Sequence, residues 1–250
     1  MLGLPRSARL VVWGNCWLAG QVTLDEVVTR VQSDDEPHTV ADLPPRGASG
    51  SLGTGLGLLR ADGVKALQVA LPRAGDPQGL AGPSQLTIEA VAAGEAVLCV
   101  GLSVALVPAI RSFGPPGDHG HLVSWGWRDA VQPLPGPTSR EADRVLSEQL
   151  IAASSLLTDL DAAAWRPQMA QVLDDLRSGA VAEPLPRPFP AAAQALAARA
   201  IRVLTVVGVG LDDDGSSLFT QEAQARRDAL VPLERAARHA LAAACNALAE

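Results

Sequence analysis

The sequence predicts an α/β fold, a mixed and mostly parallel sheet with flanking helices, followed by an α-helical, bundle-like region. Three observations predict it. Apolar runs of strand length alternate with amphipathic segments over the first half of the chain. Gln132-Pro133-Leu134-Pro135-Gly136-Pro137 then interrupts it, because closely spaced prolines and a glycine continue neither a helix nor a sheet ladder. Beyond that point the composition turns to Ala and Leu at helical spacing. The expected domains are therefore 1–133, α/β, and 138–250, helical.

Taken in order, Arg9 to Gly20 forms the first strand, an apolar run entering a Gly14-Asn15 turn with Trp13 and Trp17 on either side. The chain has five Trp and no Tyr, so two Trp here are conspicuous, and strand-to-helix junctions are where α/β folds assemble ligand sites. Thr23-Leu24-Asp25-Glu26 is a capping box, and Leu24, Val27, Val28 and Val31 continue it as an amphipathic helix. His38 to Leu43 is a second strand, stopped by Pro44-Pro45. A weak helix begins near Ser51 and closes at Gly63, and Ala66 to Leu71 makes a third strand.

After a Pro/Gly loop over residues 72–84, a short helix covers Thr87 to Ala93 and ends at Gly94. Ala96–Val100 and Val104–Ile110 suit a hairpin, and Leu122 to Trp127 completes the sheet with Trp125 and Trp127 on one face. In the second half, Thr138 and Glu141 form another capping box ahead of an apolar stripe through Leu160. Pro167 opens a helix ended by Gly179, and a Pro-rich linker over residues 184–190 leads to a helix reaching about Val207. The last helix starts at Gln221, with Pro232 predicting a kink or restart, and carries Leu230, Leu233, Ala237, Ala240 and Ala244 on one face.

Bulk properties exclude several classes. The net charge is −7, with nine basic against twelve acidic residues over 1–133 and eleven against fifteen over 134–250. Neither half offers the basic field that a phosphate backbone or an anionic lipid surface requires, so neither nucleic acid nor membrane is an expected partner. Cys16, Cys99 and Cys245 are odd in number and form no CxxC, which fits a reducing cytoplasm. The longest uncharged apolar run, Ala96 to Ile110, has 15 residues, short of the roughly 20 a spanning helix needs. Asn15 likewise interrupts the signal-like segment Arg9 to Gly20.

Candidate chemistry is sparse. The glycines between Gly47 and Gly57 invite a phosphate-loop reading, but Lys65, the sole Lys, lies outside a Gly-Lys-Ser/Thr frame and the spacing misses the dinucleotide fingerprint. A flexible loop is expected instead. His119 and His121 share a strand face without a second ligand pair, and Asp212-Asp213-Asp214-Gly215 puts Gly210 and Gln221 where a calcium loop needs carboxylates. No metal is expected. Ser103 follows a strand, but Pro108 opposes the helix a nucleophile elbow requires. If the first three strands are parallel, their carboxyl ends gather Trp13, Asn15, Trp17, Asp42, Arg46, Arg73, Asp76 and Gln78 around one crevice, an indole–carboxamide–carboxylate–guanidinium set suited to a small molecule. The bland alternative makes Asn15 a turn residue, Asp76 a turn cap and the Trp core.

The Trp13–Gly20 segment, the Pro72–Pro83 loop, Gly94-Glu95-Ala96-Val97 and the Ala/Arg-rich helical end together resemble a group of actinobacterial conserved proteins with no assigned activity. The resemblance implies a bacterial cytoplasmic setting and brings no catalytic residues or cofactor. The leading expectation is a cytoplasmic module without catalysis that binds a small ligand or a protein partner, with the C-terminal helices as the partner or homo-oligomer surface. The alternative is an enzyme, a transferase or hydrolase, acting on a small polar or anionic substrate at the strand carboxyl edge. Asp42 or Asp76 would then be its acid/base and Arg73 its anion clamp. A third reading, structural oligomerisation alone, predicts no crevice.

Overall fold

A computed structural model describes residues 3–45, 47–115, 119–159, 185–212 and 220–248. It resolves the chain into two compact units, one containing Pro5–Gly136 and one containing Pro137–Ala247.

The first unit holds a six-stranded sheet. Its elements are α1 (Arg6–Leu18), α2 (Leu24–Gln32), β1 (Thr39–Leu43), β2 (Ala48–Ser51), α3 (Leu52–Ala61), β3 (Ala66–Ala70), α4 (Ser84–Ala93), β4 (Ala96–Val100), β5 (Val104–Phe113) and β6 (Gly120–Asp129). The strand order is β2-β1-β6-β5-β4-β3. Only β1 and β6 pair in parallel among the described residues; every other pairing is antiparallel. The sheet is mixed as expected, but chiefly antiparallel rather than mostly parallel.

The largest departure from expectation is at the start. Arg9 to Leu18 is not a strand; it belongs to helix α1, entered from Pro5 and buried on nearly every side, and Gly20 lies in the turn after it. A helix buried all round shows no polar stripe, so its apolar run is indistinguishable by periodicity from a buried strand. Length is the better discriminator, since α1 has 13 residues where strands average about five or six. The Gly47–Gly57 segment is not a flexible loop either. It forms β2 and the first turns of α3, with Ser51 Oγ accepting from the Thr54 amide at 3.1 Å as N-cap.

Helix α1 packs on the face of the sheet that carries Leu67 and Leu106, and α3 covers Val40 on the same side. Both approaches depend on missing side chains. A Cβ on Gly14 would lie 2.6 Å from Leu67 Cδ1, and one on Gly55 would lie 2.7 Å from Val40 Cγ2. The opposite face is covered by α4, whose Leu86 and Ala90 pack with Leu98, Ala105 and Val107. Gly94 ends α4 in the left-handed conformation, φ 73°.

The second unit contains α5 (Ser139–Asp159), α6 (Ala191–Asp212) and α7 (Thr220–Asn246). The predicted Thr138 box is complete: the Thr138 amide donates to Glu141 Oε2 at 2.9 Å, and Thr138 Oγ1 accepts from the Glu141 amide at 3.3 Å. Helix α7 runs through Pro232 without a restart. Its stripe Leu230, Leu233, Ala237, Ala240 and Ala244 is buried, as the three/four spacing requires. Helix α6 is long and apolar enough to cross a membrane by length and composition, with mean hydropathy 1.5 over Ala191–Leu211. Its Arg199 pairs with Asp143 of α5 at 2.7 Å, and Ala200 is fully buried. The helix expected after Pro167, the acidic triplet's Asp213 and Asp214, Arg46 and Asp118 lie outside the described residues.

Candidate functional site: a cleft at the carboxyl end of the parallel pair

Among the described residues, Asp42 and the Arg73–Asp76 turn, expected to share one crevice, do not meet. Strands β1 and β3 are four places apart in the sheet, about 19 Å at roughly 4.8 Å per strand. They also run in opposite directions, because three antiparallel pairings separate β6 from β3. Asp42 and the Arg73–Asp76 turn therefore lie at opposite edges and opposite ends.

Each predicted residue among those described has a definite place. Asn15 is 4% exposed. Its Nδ2 donates to the Leu67 carbonyl and its Oδ1 accepts from the Leu67 amide, both at 2.8 Å. A carboxamide thus completes the outer edge of β3 as another strand would, closing an edge otherwise open to foreign pairing. Trp13 and Trp17, one helical turn apart on α1, lie under guanidinium groups, Arg30 at 4.9 Å and Arg60 at 4.8 Å from the ring centres. Arg73 and Asp76 exchange backbone hydrogen bonds across a tight turn. The Arg73 side chain donates to the carbonyls of Pro72 and Gly94, so it is a loop clasp rather than an anion clamp. Gln78 is spent on the Leu71 amide at 2.8 Å.

Of the predicted set, Asp42 borders a cleft. Its volume is about 510 Å³, and it is lined by Asp42 near the end of β1 and Pro44 just past it, by Trp127, Arg128 and Asp129 at the end of β6, and by Gln85, Leu86 and Glu89 of α4. This is the carboxyl end of the one parallel pair, where α/β sheets place their ligands. A register shift between Val40 and Leu43 keeps both of those side chains buried. Asp42 sits within that shift at φ 60°, a left-handed conformation that Asp tolerates better than most residues.

Arg128 organises the cleft. Its Nε donates to Glu89 Oε2 at 2.6 Å and an outer nitrogen donates to Asp42 Oδ2 at 2.5 Å. Gln85 Nε2 donates to the other Glu89 oxygen at 2.6 Å. The guanidinium lies on bare backbone: a Cβ on Gly126 would stand 2.9 Å from one of its nitrogens. Partial burial pushes the Glu89 carboxyl up, but the bonds from Gln85 and Arg128 outweigh it and hold the group below its ordinary range. Burial likewise lowers Arg128, and its two carboxylates more than reverse that. Sequence reasoning missed Arg128, Glu89 and Gln85. The available signal was Gly126 inside a strand, which marks a close approach of another group.

A second polar cluster, partly buried, lies on the other face. Arg6 grips Asp35 through two bonds, at 2.7 and 2.6 Å, and Arg9 stands 3.7 Å from the same carboxylate. His38 Nε2 is 3.2 Å from Asp35, and Trp125 Nε1 donates to His38 Nδ1 at 3.2 Å. Glu95 accepts from the Ser7 amide at 2.7 Å, placing a carboxylate at the amino end of α1. Burial pushes Glu95 up despite Ser7 and the two arginines.

No group of metal-binding side chains occurs among the described residues. His121 Nδ1 lies 3.1 Å from Ser112 Oγ on the exposed hairpin. Ser103 lies in the β4–β5 turn, where its carbonyl accepts from the Ala130 amide at 3.0 Å.

Fold and cleft together define a class: a mixed-sheet α/β unit with a polar cleft at its parallel strand ends, in a chain that also carries a helical unit. Within that class the chain belongs to the Rv1486c-like protein family, whose N-terminal domain matches residues 7–142 and whose C-terminal domain matches residues 140–242. Uncharacterized protein Rv1486c of Mycobacterium tuberculosis strain H37Rv is 28% identical over 97% of this chain and 96% of its own length. Uncharacterized protein MT1533 of Mycobacterium tuberculosis strain CDC 1551 is likewise 28% identical over the same shares. No solved structure matches the chain.

Proposed function

We propose that the sheet-bearing unit is a non-catalytic module that binds a small polar ligand in the β1–β6 cleft. The observation that carries this reading is Arg128, held between Asp42 and Glu89 over Gly126. It fixes walls from β1, β6 and α4 in advance, and fixed walls lower the ordering cost of binding. The cleft volume of about 510 Å³ falls within the roughly 300–1,000 Å³ typical of small-molecule sites. Its lining carries Asp42, Glu89 and Asp129 against one guanidinium that is already committed to two of them. That balance favours a ligand that donates hydrogen bonds or carries positive charge. It disfavours the anionic substrate of the enzyme alternative, as does the distant, clasped Arg73. Glu89 is moved away from neutral pH, which suits holding a ligand better than transferring a proton.

We further read the chain as cytoplasmic, in line with three buried free cysteines whose thiols burial pushes up to about 11 at Cys16 and about 12 at Cys99 and Cys245. Helix α6, with its Arg199–Asp143 pair, fits a core helix of the second unit. Exposed Val145 and Ile151 on α5 and Val231 on α7 support a protein or homo-oligomer contact there.

The test is a thermal-shift panel of amines, polyols and phosphorylated compounds. An amine or polyol at 100 times its Kd is expected to stabilise the unit by about 2.7 kcal/mol. The shift should be lost in Asp42→Asn and in Gly126→Ala, whose methyl group displaces the guanidinium. No shift from any compound, or an equal shift in both variants, overturns the proposal.

A further inference from the structure

We infer that His38 and Trp125 form an acid-sensitive latch between β1 and β6, the two strands whose ends make the cleft. The hydrogen-bond chemistry fixes the protonation state of the imidazole. Indole nitrogen only donates and carboxylate only accepts. Trp125 Nε1 donates to His38 Nδ1, so Nδ1 holds a lone pair; Nε2 faces Asp35 Oδ2, so Nε2 carries the proton. His38 is 1% exposed and Trp125 fully buried, so water does not replace either partner.

A second proton has one place to go, Nδ1, and there it meets the indole N–H. An attractive contact becomes two donors face to face. The groups around the ring are Asp35 from its own loop, which favours the cation, and Arg6 and Arg9 from α1, which oppose it. Glu95, ahead of β4, reaches this cluster through the Ser7 amide beside the same two arginines. Burial and the arginines outweigh Asp35 and lower the pKa of His38. The latch therefore holds at neutral pH and releases on acidification.

Release is felt at the cleft because the parallel ladder is short. It joins Thr39, Val40 and Ala41 to Ser124, Trp125 and Gly126. His38–Trp125 secures one end of it and Asp42–Arg128 the other. Loosening the first end frees β1 to carry Asp42 away from Arg128. This consequence rests on the cleft being the binding site; the latch itself does not.

The experiment is a pH titration, from 8 to 4.5, of the full chain labelled with nitrogen-15, following the Trp125 indole and Arg128 Nε–H signals by NMR. Trp125→Phe assigns the indole. We expect both signals to move together in one step below pH 6.5, and the step to vanish in His38→Gln. The Gln carboxamide accepts from Trp125 and donates to Asp35 without titrating. A step that persists in His38→Gln, or an indole signal that stays fixed while His38 protonates, overturns the latch. Should His38→Gln fail to fold, Trp125→Phe decides instead: removing the indole donor is expected to raise the pKa of His38, and an unchanged value overturns the latch. Putrescine added at pH 7.5 separates the two proposals. An intact acid step in a chain that does not bind it supports the latch and counts against the cleft reading alone.

Discussion

At the scale of single residues, the polar side chains nearest the core complete backbone hydrogen bonding rather than supply reactivity. Asn15 shows this most directly, since its one carboxamide satisfies both the N–H and the C=O of Leu67. An unsatisfied buried amide or carbonyl costs about 1–3 kcal/mol, where a made hydrogen bond returns only about 1. Asn15→Ala strands both groups at once and exposes the β3 edge. We expect it to destabilise the sheet-bearing unit by about 3 kcal/mol in urea unfolding and to promote aggregation at raised concentration. Asn15→Asp is the informative companion. It keeps an acceptor for the Leu67 amide but sets a carboxylate against the Leu67 carbonyl, so it is expected to rescue little. A loss below about 1 kcal/mol in Asn15→Ala would mean that water reaches the edge and that the carboxamide is dispensable.

At the scale of elements, glycine placement decides packing, and it also explains what the sequence showed and what it concealed. Gly55 and Gly57 both lie inside α3, where replacing Gly by Ala favours the helix by about 1 kcal/mol. Their surroundings differ: a Cβ at Gly57 meets nothing within 4 Å, whereas one at Gly55 lies 2.7 Å from Val40 Cγ2. Overpacking costs about 1–3 kcal/mol, enough to cancel or exceed the helix gain. Gly57→Ala is therefore expected to raise the unfolding midpoint and Gly55→Ala to lower it. Two midpoints moving the same way would refute the packing account. The capped helices α2 and α5, and the strands β1, β3 and β4 between their turn residues, were legible because their signals are local. Helix α1 was not, since burial on all sides erased its periodicity. Helix α3 was legible from Ser51 to Gly63 only as a weak helix, and its glycines also imitated a loop, because their role is set by contacts with β1 across the fold. Asp42 was legible as a strand-end carboxylate. Arg128 and Glu89 were not, because only the register of β6 beside β1 and the seating of α4 bring them to it.

At the scale of the whole molecule, acid acts on a chain of formal net charge −7 and pI ≈ 5.1. Protonation towards that pI relaxes long-range repulsion, but charges beyond about 10 Å are largely screened at 0.1 M salt, so the buried groups decide the pH profile. His38 is depressed in the fold, so the stability it contributes is complete above its unfolded value of about 6.5 and is lost as pH falls through the folded value. Asp35 and Glu89 are also depressed: burial pushes each up, and hydrogen bonds with Arg6 and His38 at Asp35, and with Gln85 and Arg128 at Glu89, outweigh it. Their contributions are present above about pH 4 and fade below it. Glu95 has the opposite sign. Burial raises its folded pKa, so the folded chain takes up a proton before the unfolded chain does, and stability grows as pH falls from the folded value towards about 4.3. His38 and Glu95 thus offset each other on the mildly acidic limb. Wild-type stability is therefore expected to be flatter on that limb than either group alone would make it, and to fall steeply below pH 4. Glu95→Gln removes the compensation, leaving His38 to set a slope of up to about 1.4 kcal/mol per pH unit below pH 6.5. Urea midpoints of the sheet-bearing unit measured at pH 7, 6, 5 and 4 separate the two profiles. A Glu95→Gln profile parallel to wild type from pH 6.5 to 5 would show that Glu95 takes up no proton in the fold, and that the Ser7 amide and the two arginines hold it ionised despite its burial.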